Sequence, residues 1–336
     1  MDFIPPPPPR KPSRFIGLVV WLFCVTFWLV LVVFACAMTL GTLCGWLADR
    51  VWLCEIACHF QVQYVVGLTA LTIVFALGHR RGLALGTLIV AVLAFSIQWL
   101  PIYWPEVPRS EGPRSLRLLS ANLQFDNPSH ELFFDLIDRE KPDVILLFEL
   151  SWKWLPDLKF LEREYPYFRV APSPGHSGCG IYSRLPLEEV SIDGVPPGPN
   201  FVVKAQIAIA DTVVNVFGTH PLAPYTPEER DLRNQQLSSL AKLVGFRPSH
   251  TIVAGDFNTS SWSPCFGRFV DTTGLRDTRR GFGICPTFPA RFWPAMTPID
   301  HCLVSLDIGV VDRRVGKDIG SDHLPIVVDL QIAPSR

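Results

Sequence analysis

Apolar and polar positions divide the chain into two unlike parts. From Phe15 to Ala48 there is no Asp, Glu, Lys or Arg. That run exceeds the roughly 20 apolar residues needed to span hydrocarbon. We place a first membrane span at 15–38, a second at 60–78 and a third at 83–101, with His79, Arg80 and Arg81 making a tight turn between the last two. Ile102, Tyr103 and Trp104 follow the third span, where aromatic rings would sit at headgroup level. The first run has no clear small-x-small cleavage site and two further runs follow it, so it reads as an anchor and not as a removable signal peptide.

Basic flanks orient these spans. Arg10, Lys11 and Arg14 precede the first, and Arg80 and Arg81 separate the second and third. Both groups are expected in the cytoplasm. Residues 1–14 then form a cytoplasmic tail, in which Pro5 to Pro9 are a solvated polyproline spacer. Residues 15–104 form a multi-pass segment of the cell membrane. Everything beyond lies on the far side, in the periplasm or outside a bacterial cell.

After a linker at 105–116, with Pro105, Pro108, Gly112 and Pro113, the period shortens. Apolar runs of strand length occur at Leu116–Leu123, Val144–Phe148, 179–184, 187–192, 201–210, 212–219, Thr251–Ala254, 302–306, 309–314 and 325–331. Helices are expected from a Ser129 N-cap through Arg139, over 152–164, and over 226–244. The last opens with Thr226 as N-cap, Pro227 at the first helical position and Glu229 three residues after the cap. Such a mixture predicts an α/β domain with two sheets.

Charge and cysteines narrow the chemistry. The whole chain has 30 Lys+Arg against 31 Asp+Glu, but beyond Arg114 the balance is 22 against 26, a formal charge of −4. That suits tight, non-specific duplex binding poorly. A local basic patch at Arg276, Arg279, Arg280 and Arg291 stays open. The nine Cys contain no CxxC pair and no zinc-type spacing. Cys54 and Cys58 fit either a disulfide or small apolar filler.

Polar groups recur where the apolar strands end. Asn122 closes the first, Glu149 the second, His220 follows 212–219, and Asp256 and Asn258 follow 251–254. Asp300 and His301 precede one strand, and Ser321, Asp322 and His323 precede the last. A carboxylate closing a buried strand is costly unless it faces water, a metal or a partner. Singly, each has a plain explanation: Asn122 as a turn cap, His220 as a satisfied histidine beside Pro221, His301 as a structural residue, Arg233 as an exposed salt bridge.

The segments SANLQ (120–124), LLFELS (146–151), FGTHPLAP (217–224), AGDFNTS (254–260), PIDHCLVS (298–305) and GSDHLPIV (320–327) together resemble the endonuclease/exonuclease/phosphatase superfamily, DNase I-like, in that family's order. The apolar first part looks like a membrane-anchored bacterial branch. The resemblance implies a four-layer α/β sandwich over 117–333, two facing mixed β-sheets flanked by helices, behind an N-terminal three-helix transmembrane segment. It implies hydrolysis of a phosphate-ester bond with Mg²⁺ or Mn²⁺, by a phosphodiesterase, nuclease or phosphatase. Glu149 is then the primary metal ligand, with Asp322 and Asn122 beside it. Mg²⁺ needs few carboxylates, because it takes hard oxygen ligands and keeps several waters. Asp256 would orient and deprotonate water, and Asn258 would hold a phosphate oxygen. His323 would serve as imidazolium or as base, with Asp300 fixing its tautomer. Asn122 and His220 would contact the phosphate or position carboxylates.

One position departs from the pattern. Gln124 stands where many members carry a metal-binding carboxylate, which weakens the case for a second metal. A catalytically inactive, membrane-tethered binding module of the same fold is the alternative reading. The substrate stays open among nucleic acid, lipid headgroup and small phosphoester; the bilayer is the other partner, and no protein partner is evident. The loop 281–297 carries Phe282, Phe288, Phe292 and Trp293. They suit stacking on a base, dipping into a membrane, or packing beneath the loop.

Overall fold

The computed structural model describes residues 14–103, 109–194, 196–198 and 200–333. The proline run, Trp104 and linker residues 105–108 lie outside the described residues. Uncharged apolar sequence forms α1 (Arg14–Cys44); α2 (Trp52–Cys58) and α3 (Gln61–Leu77) follow, then α4 (Arg81–Ala94), a π-helical turn at Phe95–Trp99, and α5 (Leu100–Tyr103). Two helices, Arg14–Cys44 and Arg81–Ile102, are long and apolar enough to cross a membrane. The middle one passes only if α2 and α3, bent by 68° at their junction, count as one span.

Twelve strands follow: β1 (Leu116–Asn122), β2 (Val144–Phe148), β3 (Tyr167–Ala171), β4 (Cys179–Ser183), β5 (Leu187–Gly194), β6 (Phe201–Ile209), β7 (Thr212–Thr219), β8 (Thr251–Asp256), β9 (Arg276–Asp277), β10 (Asp300–Val304), β11 (Ile308–Val315) and β12 (Ile326–Ile332); ten lie within two residues of a predicted window, while the apolar pattern gives no window for β3 or β9. They form two six-stranded sheets, ordered β11-β12-β1-β2-β4-β3 and β5-β6-β7-β8-β10-β9. β1 and β2 are parallel, as are β7 and β8; the other pairs are antiparallel.

Alternation along each strand builds the layers. Leu118, Leu146, Ile252 and Ala254 face the core between the sheets. Leu119, Ile145 and Leu147 face outward to Phe133 and Leu136 of α6 (His130–Glu140) and to Trp154. Val253 and Leu303 face outward to Leu237 and Leu240 of α8 (Pro227–Val244) and to Phe266 and Phe269 of α9 (Pro264–Thr273). Strands covered on both faces read as unbroken apolar runs, as Val144–Phe148 does.

Three local expectations are corrected. The single helix over 152–164 is a series of short turns, with α7 (Leu155–Leu158) its longest helical piece; Pro156 and Pro166 bound the space available. Ser129 precedes α6 but its side chain makes no cap bond; Asn127 Oδ1 accepts from Ser129 N instead. The pattern also missed α9, although Ser263 caps it, Pro264 opens it and Gly274 closes it in the left-handed conformation. Over 226–244 the signals sufficed: Thr226 accepts from Glu229 N, as the spacing predicts.

Candidate active site

Both parallel pairs end at the same edge of the sandwich. There Asn122 and Glu149 lead off one sheet, and Thr219, His220 and Asp256 off the other. Several of these ends are held in costly backbone. Glu149, Gln124 and Asn258 are left-handed, at φ 52°, 56° and 49°. Non-glycine residues adopt that region at a cost and persist there when surroundings fix them. Gly255 is required, since at φ 148° a Cβ would lie 1.9 Å from Thr219 O.

Asn122 bridges the two sheets. Its Nδ2 donates to Glu149 Oε1 at 3.1 Å and to Asp256 Oδ2 at 3.2 Å, while its Oδ1 accepts from Gln124 N at 3.0 Å. His220 Nε2 lies 3.4 Å from Asp256 and 3.8 Å from Glu149. Asp300 sits directly opposite Asp256 across β8 and β10. Paired like charges would repel, and His323 lies between them, with Nδ1 2.9 Å from Asp300 and Nε2 3.5 Å from Asp256. Asn258 N donates to Asp256 Oδ1, and Asn258 Nδ2 to Pro221 O at 2.9 Å. An amide carries a second N–H, so Asn258 retains a donor. Asp322 lines the same pocket, its N donating to Gln124 Oε1 at 2.9 Å. Gln124 thus ties the Asp322 loop to β1 through a neutral bond. The structure therefore gathers Glu149, His220, Asp256, Asn258, Asp322 and His323 around one cavity of about 290 Å³, with Asn122 bonded behind Glu149 and Asp256, and Asp300 behind His323.

The electrostatics follow from this crowding. Burial alone would push His323 down, but the charges of Asp300 and Asp256 and the Asp300 hydrogen bond lift it to about 10. Burial raises Asp256, yet His323 and His220 outweigh it and hold that carboxyl well below the usual range. His220 is raised despite its burial, through Asp256 and then Glu149. Asp322 is raised by burial, with Glu149 and Asp256 adding to the effect and His323 opposing it. Four carboxylates against two histidines leave negative charge that a divalent cation would offset. The oxygens of Glu149 and Asp256 converge on shared donors, a hard donor set that fits Mg²⁺ or Mn²⁺. Asp256, Asp300 and His323 also form a group with ligand atoms close enough to share an ion.

Two features escaped sequence reasoning. His176, from the loop before β4, places Nδ1 2.8 Å from Glu149 Oε2; nothing in its local sequence, SPGHSG, marks it. The second is a buried joint between the N-terminal apolar helices and this domain. Arg233 is wholly buried. Its guanidinium pairs with Glu55 of α2 and donates to Asn258 O at 2.6 Å. The expected exposed salt bridge is therefore corrected: the partner comes from a part of the chain that hydropathy treats separately. Ser263 also donates to Glu55, and His59 Nδ1 lies 2.8 Å from Ser260 Oγ. Trp52 Nε1 donates to Pro224 O at 2.8 Å.

The basic patch does not form, because Arg279 is buried against Asp277 and Arg291 donates to Gly320 O. All nine cysteines are free, Cys54 and Cys58 included. His301 is fully buried between Phe257 and Phe266. The loop aromatics divide: Phe282 packs against the core, Phe288 lies 4.7 Å from the His323 ring, and Phe292 and Trp293 are exposed.

A family model for the endonuclease/exonuclease/phosphatase family matches residues 119–323. No curated protein matches the chain. Among solved structures, a humanized TDP2 from D. rerio is similar at 18% identity and TM-score 0.54, covering 64% of this chain and 98% of that one. An endonuclease/exonuclease/phosphatase from Beutenbergia cavernae is similar at 20% identity and TM-score 0.54, covering 65% and 72%. The 3′ phosphatase NExo from Neisseria, bound to a product DNA hairpin, is similar at 18% identity and TM-score 0.53, covering 64% and 99%. These likenesses carry the fold. The motifs in order, the paired sheets and the carboxylate–histidine pocket at their shared edge agree with the family match: this chain belongs to the endonuclease/exonuclease/phosphatase family.

Proposed function

We propose that the chain is a membrane-anchored hydrolase of phosphate esters, its site facing away from the cytoplasm. The observation that carries the chemistry is the convergence of Glu149, Asp256, Asp300 and His323 from two sheets on one pocket. Glu149, with Asp322 near it, would hold Mg²⁺ or Mn²⁺, which would supply charge neutralisation at the phosphate oxygens. Asp256, anionic at neutral pH, orients a water and takes its proton as the new P–O bond forms and the leaving-group P–O bond breaks. Its depressed pKa makes it better at orienting than at retaining that proton. His323, cationic beside Asp300, faces the charge that develops on phosphorus-bound oxygen. Asn258 offers its second N–H to the same oxygens. Asn122 and His220 hold the two carboxylates together, and His176 steadies Glu149.

Gln124 brings no charge, so one tightly held ion is the reading we favour. The joint through Glu55 supports the topology. Residues 45–60 and the catalytic domain must share one side of the bilayer, as they do if α3 and α4–α5 each cross it. Arg80 and Arg81 then lie on the opposite, cytoplasmic side.

The test uses the full chain in detergent with bis-p-nitrophenyl phosphate. Mg²⁺-dependent turnover is expected to fall by about 10²–10⁴-fold in Asp256→Asn. A wild type inactive on diesters and monoesters alike would favour the inactive binding module. A phosphatase reporter fused after Arg336 checks the topology: an expressed but inactive fusion contradicts it.

A further inference from the structure

Beside the catalytic pocket lies a second cavity of different character. It has a volume of about 340 Å³, within the usual size range of ligand pockets. One wall comes from the membrane segment, through Ile56, His59 and Phe60, and the other from the catalytic domain, through Pro289, Ala295 and Ile299. The two cavities share Ala223, Tyr225, Asn258 and Phe288 as lining. The groove thus adjoins the pocket that holds Glu149 and Asp256, but carries no carboxylate of its own.

Its outer end lies at the start of an apolar helix. Phe60 immediately precedes α3, an apolar helix without Asp, Glu, Lys or Arg. Gln63, in the first turn of α3, donates to Met296 O at 2.8 Å, seating the 292–297 loop on the start of that helix. The same loop leaves Phe292 60% and Trp293 80% exposed. Exposed aromatics at that level suit an interface of headgroups and hydrocarbon. A polar substrate from bulk water has no use for an apolar path between bilayer and phosphorus site. The −4 charge beyond Arg114 and the burial of Arg279 against Asp277 also disfavour a polyanion.

Resting on the hydrolase reading above, we propose that the substrate is an amphiphilic phosphoester of the bilayer, its phosphorus at the Asp256–His323 pocket and its hydrocarbon chain in the groove between α2 and the 288–299 loop. The membrane segment is then half of the substrate site and not a tether alone. Hydrolysis consumes one water and splits the ester between phosphate and the second substituent.

The experiment uses the full chain in maltoside micelles with Mg²⁺ and a series of p-nitrophenyl alkyl phosphates from methyl to hexadecyl. Each reacts with water to give the alkyl phosphate and p-nitrophenolate, so every member reports the same bond. kcat/KM is expected to rise about 10- to 100-fold along the series, because each added methylene gains apolar burial. Ala295→Trp and Ile56→Trp, placed to fill the groove from opposite walls, should bring the hexadecyl-to-methyl ratio close to one. A flat series in the wild type overturns the proposal, and so does a ratio that both variants leave unchanged. Faster cleavage of a single-stranded DNA oligonucleotide than of the hexadecyl ester also overturns it. Calorimetric binding of hexadecyl phosphate against methyl phosphate is read separately from turnover. If no ester is cleaved, the hydrolase reading fails, while preferential hexadecyl phosphate binding lost in Ala295→Trp still supports the groove. Equal binding of the two phosphates removes the groove whatever the catalytic result.

Discussion

His301 and His323 are both buried at the edge of the same sandwich, yet their surroundings send them to opposite charge states. Asp300 and His301 are neighbours on β10, so their side chains leave opposite faces of the sheet. Asp300 points to the inter-sheet pocket and meets His323. His301 points to the outer layer, where its Nε2 is 2.8 Å from Thr259 O and its ring lies 4.3 Å from that of Phe266. Burial lowers both. For His323 two carboxylates reverse that effect, whereas for His301 Asp277 does not overcome burial and the Arg279 charge adds to it. Burial therefore sets a cost that only the partner charges turn into function or into packing.

The strongest way to break this comparison is His323→Gln, which removes the cation and keeps most of the volume. Turnover is expected to fall by about 10²–10⁴-fold with the far-ultraviolet spectrum unchanged. Activity close to wild type would assign His323 to packing, alongside His301.

Asp300→Asn sharpens the contrast with a smaller loss, on the order of 10–100-fold, and with a pH signature. His323 is raised, so the imidazolium is present below its folded pKa of about 10 and lost as pH rises through it. Without the Asp300 charge that pKa drops, and the alkaline fall of the pH–rate profile should begin at lower pH. A profile that only scales down, with its limb in place, would leave Asp300 a purely structural role.

The mildest expected effect on catalysis comes from His301→Gln. It should keep activity within about twofold while lowering the melting temperature, as a ring packed among Phe257 and Phe266 is lost at roughly 1–3 kcal/mol. Thermal unfolding and the same ester assay decide it. Loss of turnover without loss of stability would move His301 into the site.

Much of this was legible in the chain itself. Strands buried on both faces announce themselves as short apolar runs, because the face each residue uses matters less than its being covered. Val144–Phe148 and Thr212–Thr219 were read with their observed bounds. Polar residues at strand ends stand out because burying them is costly. The elements that escaped were those whose signal is weak or non-local. β9 is two residues long, and the 152–164 region is broken into turns. His176 reaches Glu149 only because the 172–178 loop folds back, with Gly178 so close to Leu150 O that a Cβ would sit 1.9 Å away.

The sequence by itself determined the apolar N-terminal helices, the two-sheet α/β class and the residue types able to hold phosphate and metal. These depend on hydropathy period and on the cost of polar burial, both local properties. Only the tertiary structure decided which charges face one another. Asp256 opposes Asp300 through strand register, His323 settles between them, and Glu55 of α2 neutralises Arg233 behind Asn258. Those pairings join residues up to 178 positions apart. Coulomb energy depends on separation in space and on local desolvation, and neither is written in the spacing along the chain.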